Sequence, residues 1–473
     1  MSTCFLTRLA LIIALLCAPT LQAMDEASQN NETAPRNVIL IIGDGMDDQQ
    51  VTIARNYLHG AKGRLVLDSL PARGAVQILG VEDTTDETPV YVSDSANTAT
   101  SMATGVITSR GRISTSAGDD KDLLTLGEIA RDAGLRVGLV TSSSVTDATP
   151  AAFAAHVSAR FCENPGAMVD VRYRDIFLAD CSDDLKANGG PGSISEQLAT
   201  SGLHMILGGG ARHFEPAIEG GTDTVLELAR EQGFTTLSHA SELETVSAGD
   251  RVLGLFAPSH LPVRLRGEDG REAEAPEPSL LNNVHAYLGE VELPAVMRCE
   301  DNPDYGDTPS LKALTDAALK NLSHNNERGF FLMVESASID KQAHERKPCG
   351  SIGEMAQLDE ALTSALAFAD ENPETLVLVT ADHAQAAQLT PSTTLFAAYP
   401  IPIYTPGRVA RILTPEGAVM AVNYATNNFA YGEHTGGQVP IYGNGVATGI
   451  MPTYMMQPDV FTLMRDFLNL PDQ

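Results

Sequence analysis

The sequence of 473 residues predicts an α/β protein, a three-layer sandwich with a mostly parallel central sheet flanked by helices. Three observations predict it. Short apolar runs alternate with segments of helical spacing, which is the pattern of βα units. The runs at 38–42, 329–334 and 375–380 are apolar without alternation, as in strands buried on both faces. Each is followed within two residues by a carboxylate, Asp44, Glu335 or Asp382. Ligands bind at that carboxyl edge in open α/β sheets.

In chain order, strand 38–42 comes first. Residues 123–133 have helical spacing closed by Gly134, and 136–141 form the next strand. A helix at 193–200 leads to an extended stretch at 204–207. A helix at 223–232 stops at Gly233 before a strand at 252–256. A helix at 310–322 precedes strand 329–334, and a long helix at 352–369 precedes strand 375–380. A helix at 459–468 closes the chain. Residues 264–278, charged and proline-containing, read as a surface excursion. Residues 390–417 read as irregular, a cap on the sheet edge. No internal repeat is present.

The first residues read as a cleaved secretory signal peptide, 1–23. Arg8 is its positive region, 9–16 its apolar core, and Leu21-Gln22-Ala23 its cleavage site. An uncleaved anchor and lipidation at Cys17 are the alternatives, but the run is too short to span a bilayer stably. Leu16 also fits a lipidation site poorly. Residues 24–35 are polar and read as a flexible arm. The expected location is therefore periplasmic or secreted. Cys162, Cys181, Cys299 and Cys349 remain after cleavage. In an exported protein they imply two disulfides with three possible connectivities, nearest-neighbour pairing being the simplest.

The net charge of −30 argues against nucleic-acid binding and against anionic membranes. Lysine is scarce among the 31 basic residues. A lysine-poor acidic surface suits a saline habitat, and equally a merely solvated exterior.

Chemistry concentrates in a few segments. Asp94-Ser95-Ala96 precedes a run of small residues suited to a helix, which puts Ser95 at a helix N-terminus favourable to phosphate. A serine hydroxyl needs activation. No histidine is near it in sequence, and a metal ion can stabilise its alkoxide. Asp340 and His344 are four apart, on one face of a helical turn, and an O/N pair suits zinc. Asp382-His383 follows a buried strand, and Glu433-His434-Thr435-Gly436 adds a loop histidine. Asp147-Ala148-Thr149-Pro150 offers oxygen ligands of the magnesium type. Arg160 has the planar fork that matches phosphate. Each has a purely structural alternative: an N-cap at Asp94 or Ser95, an N-cap at Thr149, an exposed i,i+4 pair, a core histidine, a surface arginine. All of these would have to hold at once.

Together these segments resemble the alkaline phosphatase family, specifically its bacterial periplasmic branch. The resemblance runs from Asn37 to the last helix. It rests on Asp94-Ser95-Ala96, on Glu335 with Asp340-Lys341 and His344, on Thr380-Ala381-Asp382-His383, and on Glu433-His434-Thr435-Gly436. It implies an alkaline-phosphatase-like catalytic domain over 36–473 that hydrolyses phosphate monoesters through a phosphoserine at Ser95. It implies two zinc ions and one magnesium ion per subunit. One zinc would be held by Asp340, His344 and His434, the second by Asp44, Asp382 and His383, and magnesium by Asp44, Thr149 and Glu335. Arg160 would clamp phosphate oxygens, and Asp147 with Lys341 would form the aspartate–lysine pair of this branch. The pairs Cys162–Cys181 and Cys299–Cys349 and a homodimer are implied too. Asp47 stands where the family usually has glycine, and 390–417 does not line up. Asn97 and Ala99 break the Cys/Ser-x-Pro-x-Arg pattern of a sulfatase. Arg160 and the magnesium ligands favour a monoester dianion over a diester. Against a non-catalytic phosphate- or metal-binding protein stands the presence of every implied ligand together with the serine.

Overall fold

Apolar runs become the centre of the sheet. The computed structural model describes residues 35–285, 288–289, 291–391 and 407–472, so the expected signal peptide and nearly all of the expected arm lie outside the described residues. Residues Arg36–Gln473 make one compact unit. Ten strands form its main sheet. They are β1 Asn37–Gly43, β2 Ala72–Gln77, β3 Arg136–Ser144, β4 Met205–Gly209, β5 Thr235–Leu237, β6 Val252–Leu255, β7 Phe330–Ser336, β8 Thr375–Ala381, β9 Val439–Gly443 and β10 Tyr454–Met456. Their spatial order is β10-β2-β9-β8-β1-β7-β3-β4-β6-β5. Only β9 runs against the rest, antiparallel to both β8 and β2.

Every residue of β1, β7 and β8 is buried, as continuous apolar runs require. β1 lies between β7 and β8, parallel to both. The register places Ile42 opposite Glu335 and Thr380, and Gly43 opposite Ser336 and Ala381. Asp44, Glu335 and Asp382 therefore arrive at one level of one edge. β3 ends there as well, with Thr141 opposite Glu335.

The longer helices around the sheet are α1 Asp48–His59, α2 Ser95–Thr104, α3 Leu126–Asp132, α4 Ile194–Thr200, α5 Val225–Glu231, α6 Leu311–Ser323, α7 Ser338–His344, α8 Pro348–Glu371 and α9 Gln457–Phe467, with one-turn helices at Ala148–Ala151 and Leu280–Val284. Reciprocal capping boxes start α3 (Thr125 with Glu128), α4 (Ser193 with Glu196) and α5 (Thr224 with Glu227). The cap at Thr125 begins α3 three residues later than apolar spacing predicts. Pro348, pre-set for a first helical turn, begins α8 earlier than predicted. α8 packs along β1, β7 and β8.

The expectation of an irregular 390–417 is corrected. Arg408–Leu413 is a strand, paired antiparallel with Val419–Tyr424. With Ala387–Thr390 and Val296–Met297 it forms a second, four-stranded sheet. Arg408 and Arg411 interrupt its apolar pattern, while Val409, Ala410 and Ile412 are buried, which hid a short strand. Residues 392–406 lie outside the described residues. The excursion at 264–278 is pinned to the body, since Arg264 makes a bidentate pair with Glu360 at 2.6 and 2.7 Å. Cys162 is bonded to Cys181 and Cys299 to Cys349, with Cα–Cα separations of 6.4 and 5.4 Å.

Leu332, fully buried in the middle of β7, tests how much the sheet centre depends on packing. Leu332→Ala is expected to lower stability by about 2–5 kcal/mol, read as a shift in the urea midpoint. An unchanged midpoint would contradict the packing described.

Candidate active site

The site starts from α2. Asp94 is its N-cap and accepts from Asn97 N at 3.1 Å, while Asn97 Oδ1 accepts from Asp94 N at 2.9 Å. The hydroxyls of Thr98, Ser101 and Thr104 donate to carbonyls one turn back, so a polar helix is buried without orphaned hydroxyls at these positions. All ten residues of α2 are buried. Ser95 is thus fixed as the first helical residue. Its Oγ is 3.1 Å from His383 Nε2 and 3.3 Å from Asp44 Oδ1.

Asp44 leaves β1 in a tight turn in which Gly45, at φ 66°, adopts a conformation that favours glycine. That turn aims Gly45 N at Asp382 Oδ1, 2.9 Å away. His383 Nε2 lies 3.3 Å from Asp44 Oδ1 and 3.4 Å from Asp382 Oδ2. On α7, Asp340 and His344 share one face as their spacing predicts, with Oδ2 3.2 Å from Nε2. His434 Nε2 is 3.3 Å from Asp340 Oδ1 and 2.9 Å from His344 Nε2. The rings of His383 and His434 stack at 3.8 Å.

These donors form two clusters of metal-ligand type, Asp44/Asp382/His383 and Asp340/His383/His434. His383 belongs to both by distance, and His344 joins the second through its contacts with Asp340 and His434. The ring tautomers test the fit. Nδ1 of His344, His434 and His383 faces the carbonyl oxygens of Gly432, Ser93 and Ala384 at 2.6, 2.8 and 3.3 Å. A proton on each Nδ1 leaves the Nε2 lone pairs directed at one another and at carboxylates, the arrangement of metal-binding imidazoles. Asp382 Oδ2 is buried with no hydrogen-bond partner among the described residues. Burial and the neighbouring Asp44 carboxylate push Glu335 up to about 8 and hold Asp382 well above the usual carboxylate range. Asp340 is held well below it, because His344 and His434 outweigh its burial. In the same way Asp340 outweighs burial at His344 and raises it to about 9. The donor set fits divalent cations.

Glu335 falls outside both clusters. Its Oε2 accepts from Thr141 and, at 3.2 Å, from Ser143. Thr149, in the one-turn helix Ala148–Ala151 capped by Asp147, has a buried hydroxyl with no partner among the described residues. Arg160 is held at both prongs, by Asp147 at 3.0 Å and by Asp94 at 3.4 Å. Lys341 Nζ reaches the other oxygen of Asp147 at 2.7 Å. Burial works against charge on all three groups, yet their attraction outweighs it. Asp147 is held well below the usual carboxylate range, and Arg160 and Lys341 are raised. Ser95, Asp147, Arg160, Lys341, His344 and His434 share one cavity of about 690 Å³.

Two features escaped sequence reasoning. Gln385 donates from Nε2 to Asp340 Oδ1, and its position three residues past Asp382 was the available signal. Asp94 is both helix cap and arginine anchor. Asp47, the departure from glycine, caps α1 through Gln49 N and Gln50 N, both at 2.9 Å, and accepts from Gln385 N at 3.2 Å. It therefore ties α1 to the segment that supports Asp340.

A parallel sheet whose carboxyl edge gathers a buried serine, clustered metal ligands and a carboxylate-held arginine defines a metal-dependent hydrolase of phosphate esters. A family model described as "Alkaline phosphatase" matches residues 35–431. Streptomycin-6-phosphate phosphatase of Streptomyces griseus is 40% identical over 440 residues, 91% of this chain and 90% of that protein. The alkaline phosphatase of Escherichia coli strain K12 is 38% identical over 443 residues, 92% of this chain and 86% of that protein. The solved alkaline phosphatase of the Antarctic bacterium TAB5 shares the fold at TM-score 0.66 and 21% identity, over 93% of this chain and 100% of that one. The chain belongs to the alkaline phosphatase family, and with it to the metal-dependent phosphomonoesterases.

The Asp147 cluster makes a stability prediction with a definite sign. A carboxyl held below its unfolded value contributes stability above about pH 4 and loses it as pH falls through the folded value. Asp147→Asn is expected to cost about 3–5 kcal/mol near neutrality, and the gap to wild type is expected to narrow in acid. Urea unfolding at a series of pH values reads both, and a gap that widens in acid would contradict the assignment.

Proposed function

We propose that the chain hydrolyses phosphate monoesters to alcohol and inorganic phosphate through a phosphoserine at Ser95, with two zinc ions and one magnesium ion per subunit. The observation that carries this reading is the placement of Ser95 Oγ between His383 Nε2 and Asp44 Oδ1, at the start of α2 and in one cavity with Arg160. Asp340, His344 and His434 would hold one zinc, and Asp44, Asp382 and His383 the second. Asp44, Thr149 and Glu335 would hold magnesium. Bound there, the ions supply Lewis-acid stabilisation to the serine alkoxide and to the leaving oxygen.

The chain's own residues do the rest. Ser95 Oγ gives up its proton and forms a bond to phosphorus as the alcohol oxygen departs on the opposite side and takes up a proton. Water then breaks the Ser95–phosphorus bond from the vacated side, so the two displacements retain configuration. The first-turn N–H groups of α2 favour the anion beside Ser95. Arg160, pre-aimed by Asp94 and Asp147, offers its free N–H groups to phosphoryl oxygens. Those contacts stabilise charge spread over the transition state. Lys341 balances Asp147 and so leaves Arg160 available to the substrate.

The reading extends to the whole chain: a signal peptide at 1–23, an arm at 24–35 and one catalytic domain at 36–473, exported to the periplasm or medium and paired as a homodimer. Among the described residues no helix is long and apolar enough to cross a membrane. The acidic exterior supports tolerance of salt.

Initial rates on 4-nitrophenyl phosphate at alkaline pH test the assignment. Chelation is expected to abolish activity, zinc with magnesium to restore it, and Ser95→Ala to reduce it by about 10³-fold or more. Full activity in Ser95→Ala would assign another nucleophile. An inactive wild type with zinc bound would make the chain a binding protein.

A further inference from the structure

The reaction cavity is much larger than a phosphoryl group. At about 690 Å³ it falls within the range of about 300–1,000 Å³ that accommodates whole small-molecule ligands. Beyond Ser95 and Arg160 its wall changes character, to Arg110, Phe161 and Leu178. The Phe161 side chain, 40% exposed, follows directly on Arg160. Arg110 is exposed, and its neighbour Gly111 accepts the Arg160 N–H at 2.7 Å. Arg110 and Phe161 therefore flank, in the chain, a single backbone hydrogen bond at the cavity.

Leu178 comes from a hairpin, Val171–Tyr173 with Ile176–Ala179. Ile176 is two residues from Leu178 and pairs with Tyr173. Leu178 stands at the bulge where the hairpin register shifts, and beyond it Ile176 and Tyr173 are 63% and 56% exposed. The Cys162–Cys181 disulfide fixes the hairpin beside Phe161. A leucine, an aromatic ring and an arginine thus stand together on the cavity wall beside Arg160, on a chain of net charge −30.

We propose that Arg110, Phe161 and Leu178 form a subsite for the alcohol portion of the substrate, and that this subsite selects monoesters of aromatic alcohols. A planar ring stacks on Phe161 and under the Arg110 guanidinium, with its edge on Leu178. The proposal rests on the phosphomonoesterase reading above and adds the chemistry of the leaving group.

The test uses a pair of substrates with similar leaving-group chemistry, 2-phenylethyl phosphate and ethyl phosphate. In the metal-loaded wild type, kcat/KM is expected to favour the phenylethyl ester by about tenfold or more. The preference is expected to fall to about twofold or less in Phe161→Ala and to drop in Leu178→Ser, while Phe161→Tyr keeps it. Calorimetric titration with 2-phenylethylphosphonate and ethylphosphonate, which are not hydrolysed, reads the same ratio as binding. Equal constants for each pair in the wild type, or a preference that survives Phe161→Ala and Leu178→Ser together, would overturn the subsite. Phosphonate discrimination without turnover of either ester would support the subsite and count against the hydrolytic reading alone.

Discussion

The structure turns on the repulsion among anionic groups crowded at the carboxyl edge of the sheet. Asp44, Glu335, Asp340 and Asp382 are each no more than 4% exposed and lie within one site. Two like charges 4 Å apart repel by about 4 kcal/mol even at an effective dielectric of 20. Such a group is tolerable only where cations share the space and the scaffold cannot relax. Strands β1, β7 and β8 supply the rigidity, since they are buried throughout and locked in register. Three divalent ions would bring six positive charges against these four carboxylates. With Arg160 added, the centre would favour a dianion although the chain as a whole carries −30.

Around that edge, positioning falls to polar contacts that the reaction itself does not consume. Asp94 caps the helix that carries Ser95 and holds one prong of Arg160, so serine and arginine are placed by one carboxylate. Asp147 holds the other prong and Lys341. Asp47 and Gln385 link the first helix to Asp340. Rigid supports of this kind keep reacting groups within the small tolerances that catalysis requires.

Much of this was legible in the sequence, for identifiable reasons. Strands buried on both faces leave unbroken apolar runs, so β1, β7 and β8, and with them Asp44, Glu335 and Asp382, could be placed at one edge. The i,i+4 spacing of Asp340 and His344 reports a helical face, and α7 realises it. The strand at Arg408–Leu413 was not legible, because two arginines and a short length mask its alternation. Helix starts shifted where a cap, as at Thr125, took precedence over apolar spacing. The double duty of Asp94 and the reach of Gln385 depend on contacts between distant segments, which spacing does not encode.

X-ray diffraction from crystals of the zinc-loaded protein, recorded on either side of the zinc absorption edge, tests the central claim most directly. The account predicts two anomalous peaks, one among Asp340, His344 and His434 and one among Asp44, Asp382 and His383, with Ser95 Oγ facing the second. Anomalous density elsewhere, or these side chains arranged around no ion in a zinc-saturated crystal, would contradict it.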